Sequence, residues 1–337
     1  MADFKSSLFC IKMHILFDYC FFFRNFGTKQ DNFSMPSTTT VQSFMRARIQ
    51  AGQDEGKVRR AEIYTTTLNS FNRFLEGKDF SFREMTPALM ARYEQWLSRN
   101  HVRRNTSSFY LRILRAVYNQ AVDRGLTRQQ FPFKHVYTGI GETVKRALPL
   151  SSIRKLKTLD LDQNPRLDFA RDMFLFSFYT RGMSFVDMAF LRRENIQDGR
   201  LLYARRKTGK MLSIRWEPCM QAIVDKYRDA SSGYLLPILH EGESDEKALY
   251  RQYKSRIYSV NLALKEISSL LRMQHPITTY TARHSWASIA YQKDIPLSVI
   301  SEGMGHHSEK MTRIYLASLD YAAIDRANCL VWGELLR

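Results

Sequence analysis

Three residues in the C-terminal third of the chain have the chemistry to attack a phosphodiester and hold the charge that develops: Arg283, His306 and Tyr315. Arg283 stands in Thr278-Thr279-Tyr280-Thr281-Ala282-Arg283-His284-Ser285-Trp286. His306 stands in Gly303-Met304-Gly305-His306-His307, and Tyr315 lies nine residues beyond it. A guanidinium matches phosphate oxygens bidentately and keeps its charge at any working pH. An imidazole can donate a hydrogen bond to a second oxygen, and a phenol poised nearby can act as a covalent nucleophile. This chemistry calls for no metal and no nucleotide cofactor.

The local pattern supplies elements to position them. From Thr281 the small or apolar residues Ala282, Ser285, Trp286 and Ile289 recur at helical spacing, so Arg283 leaves the first turn of a helix whose opposite stripe is buried. Pro296 suits the start of a second helix through Val299, Ile300 and Met304. Gly303 and Gly305 then let the chain turn and present His306 on a loop.

At 337 residues the chain is long enough for two domains with separate cores. Lys and Arg total 51 against 33 acids, and the net charge of +18 favours a polyanionic partner. Two acid-free runs concentrate this charge. Residues 99–115 carry Arg99, Arg103, Arg104, Arg112 and Arg115, and residues 200–215 carry Arg200, Arg205, Arg206, Lys207, Lys210 and Arg215. Cys10, Cys20, Cys219 and Cys329 form no C-x-x-C pair, which argues against a zinc site or disulfide framework and fits a reducing cytoplasm. The Phe-rich stretch from Leu8 to Phe26 is interrupted by Lys12, His14, Asp18 and Arg24, so it is too broken for a bilayer span and no membrane partner is expected. Residues 1–36 read as a flexible N-terminal extension, either an added arm or an upstream start with Met35 as the true beginning.

Residues 37–136 read as a helical module. One helix carries Val41, Phe44, Met45 and Ile49, and a second runs from about Arg60 to Leu75. Thr86-Pro87 opens a third as N-cap and first helical residue, and Asn105 or Thr106 caps a fourth. Arg103, Arg104, Asn105, Thr106 and Ser107 at the start of that fourth helix form a candidate contact to a phosphate backbone. A linker over 137–147 falls in the basic, Gly-containing stretch from Pro132 to Lys145. Residues 148–337 form the second module, opening on a helix capped by Ser151 or Ser152. Leu167 to Tyr179 is a core helix, and 201–204 and 211–216 are two strands joined by a basic hairpin with Lys207 and Lys210 at its tip.

Arg283, the Met304-Gly305-His306 loop and Tyr315 nine residues after that His resemble the tyrosine recombinases (phage integrase family), particularly site-specific integrases and DNA invertases of Bacteroides type. The family pattern is H-x-x-R, an L-G-H loop and then Tyr. Tyr280 stands where the first His is usual, and a phenol there can replace the imidazole as donor. The resemblance implies a mainly α fold with a small β-hairpin or sheet, in which the helical module binds DNA opposite an α+β catalytic domain and the two form a clamp. It also implies a first catalytic Arg three residues before an acidic helper. Counting back three from Asp187 reaches Ser184, whereas the arginine in this turn is Arg181. Two readings stand: Arg181, about one helical turn earlier and on the same face, supplies the guanidinium, or the site works with Ser184 and takes positive charge from elsewhere. Asp187 orients a catalytic side chain. Lys207 becomes the general acid for the leaving 5′ oxygen, and Arg205, Arg206 and Lys210 contact DNA beside it.

The function implied is cleavage and rejoining of DNA through a 3′-phosphotyrosyl intermediate, giving integration, excision or inversion. The partners implied are double-stranded DNA with recombination sites and a homo-tetramer passing through a Holliday junction, joined by an amphipathic tail from Leu319 to Leu336. Accessory DNA-bending proteins and a cytoplasmic, nucleoid-associated location also follow from the resemblance. Two alternatives stay open: a type IB topoisomerase-like activity, and a DNA-binding protein of the same fold that has lost catalysis.

Overall fold

The computed structural model describes residues 39–141, 146–230, 233–240 and 245–316, except for the side chains of 310 and 314–316. The extension expected over 1–36, residues 142–145 of the expected linker and the tail from Leu319 to Leu336 lie outside the described residues. The chain divides into two compact units, Met1–Thr143 and Val144–Arg337.

Among the described residues the first unit is built on four α-helices: α1 (Val41–Asp54), α2 (Val58–Phe74), α3 (Pro87–Arg99) and α4 (Arg104–Asp123). Their apolar stripes meet in one core, where Phe44, Phe71, Met90, Tyr93, Leu97, Leu114 and Tyr118 are all buried. Thr86 caps α3 by accepting from the Leu89 N–H, with Pro87 at the first helical position, where a missing N–H is harmless. The fourth helix differs from expectation: its N-cap is Arg103, two residues before Asn105 and three before Thr106. The Asn105 amide is used elsewhere, accepting from the Gly141 N–H at 2.8 Å and donating to the Gly141 carbonyl at 3.2 Å. Phe133 and Val136 belong to this core, the Tyr137 N–H donates to Glu94, and Ser108 donates to the Gly139 carbonyl. The stretch expected to loosen from Pro132 onward is therefore fastened to the helical unit as far as Gly141.

The second unit comprises α5 (Leu150–Lys157), α6 (Pro165–Tyr179), α7 (Phe185–Ala189), β1 (Ile196–Gln197), β2 (Arg200–Ala204), β3 (Met211–Arg215), α8 (Pro218–Lys226), α9 (Glu246–Leu270), α10 (Thr279–Gln292), α11 (Leu297–Gly303) and α12 (Glu309–Leu316). Pro149, not Ser151 or Ser152, precedes the first turn of α5. The C-terminal half of α6, from Met173 to Tyr179, is apolar on nearly all sides, and α6 is packed between α9 and α10 accordingly. The strands form an antiparallel sheet of order β1-β2-β3, pairing Leu201 with Ile214 and Tyr203 with Leu212. All four of these residues face the core, and their neighbours in the strands face outward. Opposite charges lock α6 to α8, where buried Asp168 and Asp172 pair with Arg171 and Lys226. Among the described residues no helix is long and apolar enough to cross a membrane.

Candidate active site

The site is assembled where α6, α10 and α11 end or begin. Helix α10 opens on Thr278, whose backbone N–H donates to the Thr281 hydroxyl, so Arg283 leaves the second turn. Helix α11 closes with Gly305 at φ +64°, the Gly305 N–H bonded to the Glu302 carbonyl and the His306 N–H to the Ser301 carbonyl. These are the two bonds of a Schellman cap, and they fix where His306 emerges. A Cβ on Gly305 would meet Leu212 Cδ1 at 2.9 Å, so glycine is required by space as well as by φ.

Arg283 is only 3% exposed. Its Nη1 donates to the Gly182 carbonyl at 2.8 Å, and its Nη2 donates to the Met304 carbonyl at 2.7 Å and meets His306 Nε2 at 3.0 Å. A guanidinium has no lone pair to offer, so His306 Nε2 is the acceptor and the ring proton sits on Nδ1. Nδ1 then donates to the Thr312 hydroxyl at 2.8 Å. Burial and the adjoining charges of Arg283, Arg205, Lys207 and Lys210 hold the His306 pKa down to about 2, consistent with this neutral tautomer. Thr312, fully buried on α12, is thus tied to His306 three residues before Tyr315 on the same helix. The Tyr315 side chain lies outside the described residues.

The turn between α6 and α7 carries both Arg181 and Ser184. Arg181 is not on α7, as the same-face argument requires, but in the turn before it, at φ +60° and followed by Gly182 at φ +73°. The turn closes when the Gly182 N–H bonds to the Ser177 carbonyl. The stem of Arg181 then lies against α11, its Cδ 3.6 Å from where a Cβ on Gly303 would stand. Its charge also falls on buried Tyr203, together with those of Arg283 and Arg205. Ser184 caps α7, accepting from the Asp187 N–H and donating to its Oδ2 at 2.6 Å. The other Asp187 oxygen accepts from the backbone N–H of Arg206 at 2.9 Å. What Asp187 orients is therefore the hairpin, one residue before Lys207.

On that hairpin the predicted residues separate. Lys207 is exposed, and its charge reaches His306. Arg206 is exposed and lies over the Phe190 ring at 3.7 Å. Lys210 pairs with Glu302 of α11 at 2.7 Å. Arg205, expected among the DNA contacts, is 8% exposed and donates to the Gly305 carbonyl at 2.8 Å. A cleft of about 570 Å³, lined by Thr208, Lys210, Ser301, Glu302, His306 and Ser308, lies between the hairpin tip and the loop joining α11 to α12. Tyr280 is half-buried at the start of α10, edge-on to His284 with ring centres 4.7 Å apart.

In the helical unit, Arg103 and Arg104 are exposed, and Arg104 sits over the Tyr137 ring at 3.9 Å. Thr106 and Ser107 are buried and Asn105 holds Gly141, so the exposed positive charge at the start of α4 comes from the two arginines. Sequence reasoning missed Thr312, Gly182 and the inward course of Arg205. The first two carry no charge and no motif spacing that marks them. The alternation of strand β2 could have shown Arg205 following Leu201 and Tyr203 inward.

A buried arginine is bonded to a buried histidine, the stem of a second arginine lies against α11 and a basic hairpin is anchored on the loop carrying that histidine, all on a mostly helical scaffold. The phage integrase SAM-like domain pattern matches residues 40–136, and the phage integrase family pattern matches residues 167–321. The chain belongs to the phage integrase family, the tyrosine site-specific recombinases. Its fold is similar to that of XerH site-specific recombinase bound to a palindromic difH substrate (TM-score 0.61, 14% identity, covering 86% of this chain and 94% of that one). It is likewise similar to a lambda integrase(75-356) dimer bound to a COC′ core site (TM-score 0.60, 15% identity, 84% and 97% covered). A third similar structure is a lambda integrase tetramer bound to a Holliday junction (TM-score 0.60, 16% identity, 85% and 78% covered). Compared by sequence with curated proteins, the chain has no match.

Proposed function

We propose that this recombinase cleaves duplex DNA with Tyr315 as nucleophile, forming a 3′-phosphotyrosyl link and releasing a 5′-hydroxyl. The phenol oxygen bonds to phosphorus as the bond to the 5′ oxygen breaks, and Lys207 delivers the proton the leaving oxygen needs. Arg283 and Arg181 take the non-bridging oxygens, where a preorganised, water-poor cation is worth far more than in solvent. His306 contributes a hydrogen bond once the incoming phosphate has drawn Arg283 away from Nε2, and Tyr280 lies at the edge of the same site. A 5′-hydroxyl from a partner strand reverses the step, so the phosphotyrosine conserves the bond energy.

The observation that carries this reading is the buried Arg283–His306–Thr312 chain, which ends on the helix bearing Tyr315. Arg103, Arg104, Arg206 and Lys210 would neutralise phosphates along the flanking duplex. The lambda integrase tetramer bound to a Holliday junction supports an assembly of four protomers on DNA. Joining of neighbours by the C-terminal tail, accessory DNA-bending proteins and a place beside the nucleoid belong to the same proposal.

The test uses a duplex carrying a candidate recombination site from the DNA flanking the gene, nicked beside the candidate crossover so that cleavage cannot be reversed. Incubated in EDTA and run on a denaturing gel, wild-type protein should yield a covalent protein–DNA adduct and Tyr315→Phe should yield none. Tight binding to the duplex with no adduct from wild type would overturn the assignment.

A further inference from the structure

The hairpin carrying Lys207 is exposed at its tip, yet a general acid must be placed to within a fraction of an ångström of a leaving oxygen. Something has to fix its base. Arg205 is the residue at which the strand becomes the turn. Its N–H bonds to the Lys210 carbonyl, and its own carbonyl accepts from both Thr208 and Gly209. Its side chain, by contrast, runs inward, with Nη1 on the Gly305 carbonyl at 2.8 Å and Cδ 3.4 Å from where a Cβ on Gly305 would stand. The next residue, Arg206, has its N–H held by Asp187. Two consecutive residues are therefore gripped from two different walls of the site, and Lys207 is the first residue beyond them.

We propose that Arg205 is a positioning residue that anchors the hairpin on the Gly305-His306 loop and so delivers Lys207 to the leaving oxygen. This rests on the reading of Lys207 and His306 given above. The loop does not depend on Arg205 for its own shape, because its Schellman cap and the Arg283 bond to Met304 hold it independently. Beyond Arg205 the hairpin is also held by the Asp187 bond, by Arg206 over the Phe190 ring and by Lys210–Glu302, whose acid is 73% exposed, and a pair that open to solvent restrains weakly. Losing Arg205 should therefore displace the proton donor and leave the oxyanion-binding groups in place. A charge-assisted hydrogen bond to a buried carbonyl suits that task better than a lysine, whose ammonium is a point charge on a flexible stem.

The test compares two versions of the nicked duplex, one with the ordinary scissile phosphodiester and one with sulfur replacing the 5′ bridging oxygen. In the second the P–S bond breaks and a thiolate leaves without needing a proton. The full-length variants are Arg205→Met, which keeps the stem and removes the donors, and Arg205→Lys, with Lys207→Ala as reference. Arg205→Met should form adduct on the oxygen substrate at least roughly tenfold more slowly than wild type, toward the low end of what a displaced proton donor removes. On the sulfur substrate it should run close to wild type, as Lys207→Ala should, and Arg205→Lys should lie between on the oxygen substrate. Equal loss on both substrates in Arg205→Met and Arg205→Lys alike would overturn the inference in favour of a general structural role. Weaker binding with a salt slope reduced by about one would overturn it in favour of a phosphate contact. If wild type forms no adduct on either substrate, the failure lies with the active-site reading itself.

Discussion

Replacing Thr312 by Val tests the hydrogen-bond chain at its least conspicuous member. Thr312 has no exposed surface, and its hydroxyl lies 2.8 Å from His306 Nδ1. In the resting site the hydroxyl accepts from Nδ1–H. Once His306 carries its proton on Nε2 to meet a phosphate oxygen, the same hydroxyl can rotate and donate to Nδ1. Valine fills the same space and does neither, leaving a buried ring nitrogen without its partner at a cost of about 1–3 kcal/mol. If that cost falls on the transition state, adduct formation slows by roughly 5- to 150-fold, since about 1.4 kcal/mol corresponds to a tenfold change in rate. Single-turnover adduct formation on the nicked duplex, with saturating protein, reads the rate directly. Urea denaturation of the same preparations reads the stability. Thr312→Ser keeps the hydroxyl and loses a methyl group, so it should cost about 1 kcal/mol of stability and leave the rate near wild type. The reasoning is refuted if Thr312→Val reacts as fast as wild type, or if Ser and Val slow the reaction equally.

Gly182→Ala should destabilise the protein by more than about 2 kcal/mol and abolish the adduct. The added Cβ would lie 2.5 Å from the Arg283 Cα at a residue with φ +73°, and thermal unfolding together with the gel assay checks both effects. Arg181→Ala should slow adduct formation by about 100-fold or more, in the range of a lost oxyanion donor, whereas Ser184→Ala should cost about 1 kcal/mol of stability through the lost cap and react readily. The reverse ranking would restore Ser184 to the site. Because the folded His306 pKa is held near 2, below its unfolded value, the unfolded state takes up a proton that the native state does not as pH falls below about 6.5. Stability should therefore decline from about pH 6.5 downward. His306→Gln should flatten that decline in denaturation curves recorded at pH 7 and pH 5. Glu302→Gln, which breaks an exposed pair, should change stability by less than about 1 kcal/mol.

The elements of this fold were legible where composition and period agree. Thr86-Pro87 capped a helix as read, and the apolar run from Leu167 to Tyr179 became the central helix, because burial leaves such a segment one place to go. Caps chosen among several adjacent polar residues were misplaced, as at Asn105 and Ser151, because Asn105 forms a better bond with a residue thirty-six positions away and no local rule contains that partner. The spacing of Arg283, His306 and Tyr315 was visible at once, and the structure brings the first two within a hydrogen bond. The choice between Arg181 and Ser184 was not. The same-face argument assumed that the helix extends back to residue 181, whereas Ser184 caps its start, and Arg181 lies in the preceding left-handed turn with its stem against α11.

That turn and the one at Gly305 have a common consequence for the charge they surround. Arg283 is buried before any phosphate arrives, and an unpaired buried guanidinium would be prohibitively unfavourable. Its Nη1 and Nη2 donate to the Gly182 carbonyl, two residues past the C-cap of α6, and to the Met304 carbonyl, the C-cap of α11. At Met304 the cation sits at the negative end of a helix dipole, where carbonyls lack helical partners and cations are favoured. Phosphate sites are commonly built from helix N-termini acting on the anion directly. Here the turn after α6 and the C-terminus of α11 hold the cation instead. Each helix must therefore stop abruptly, which suits the left-handed glycines Gly182, crowded by Arg283, and Gly305, crowded by Leu212 and Arg205.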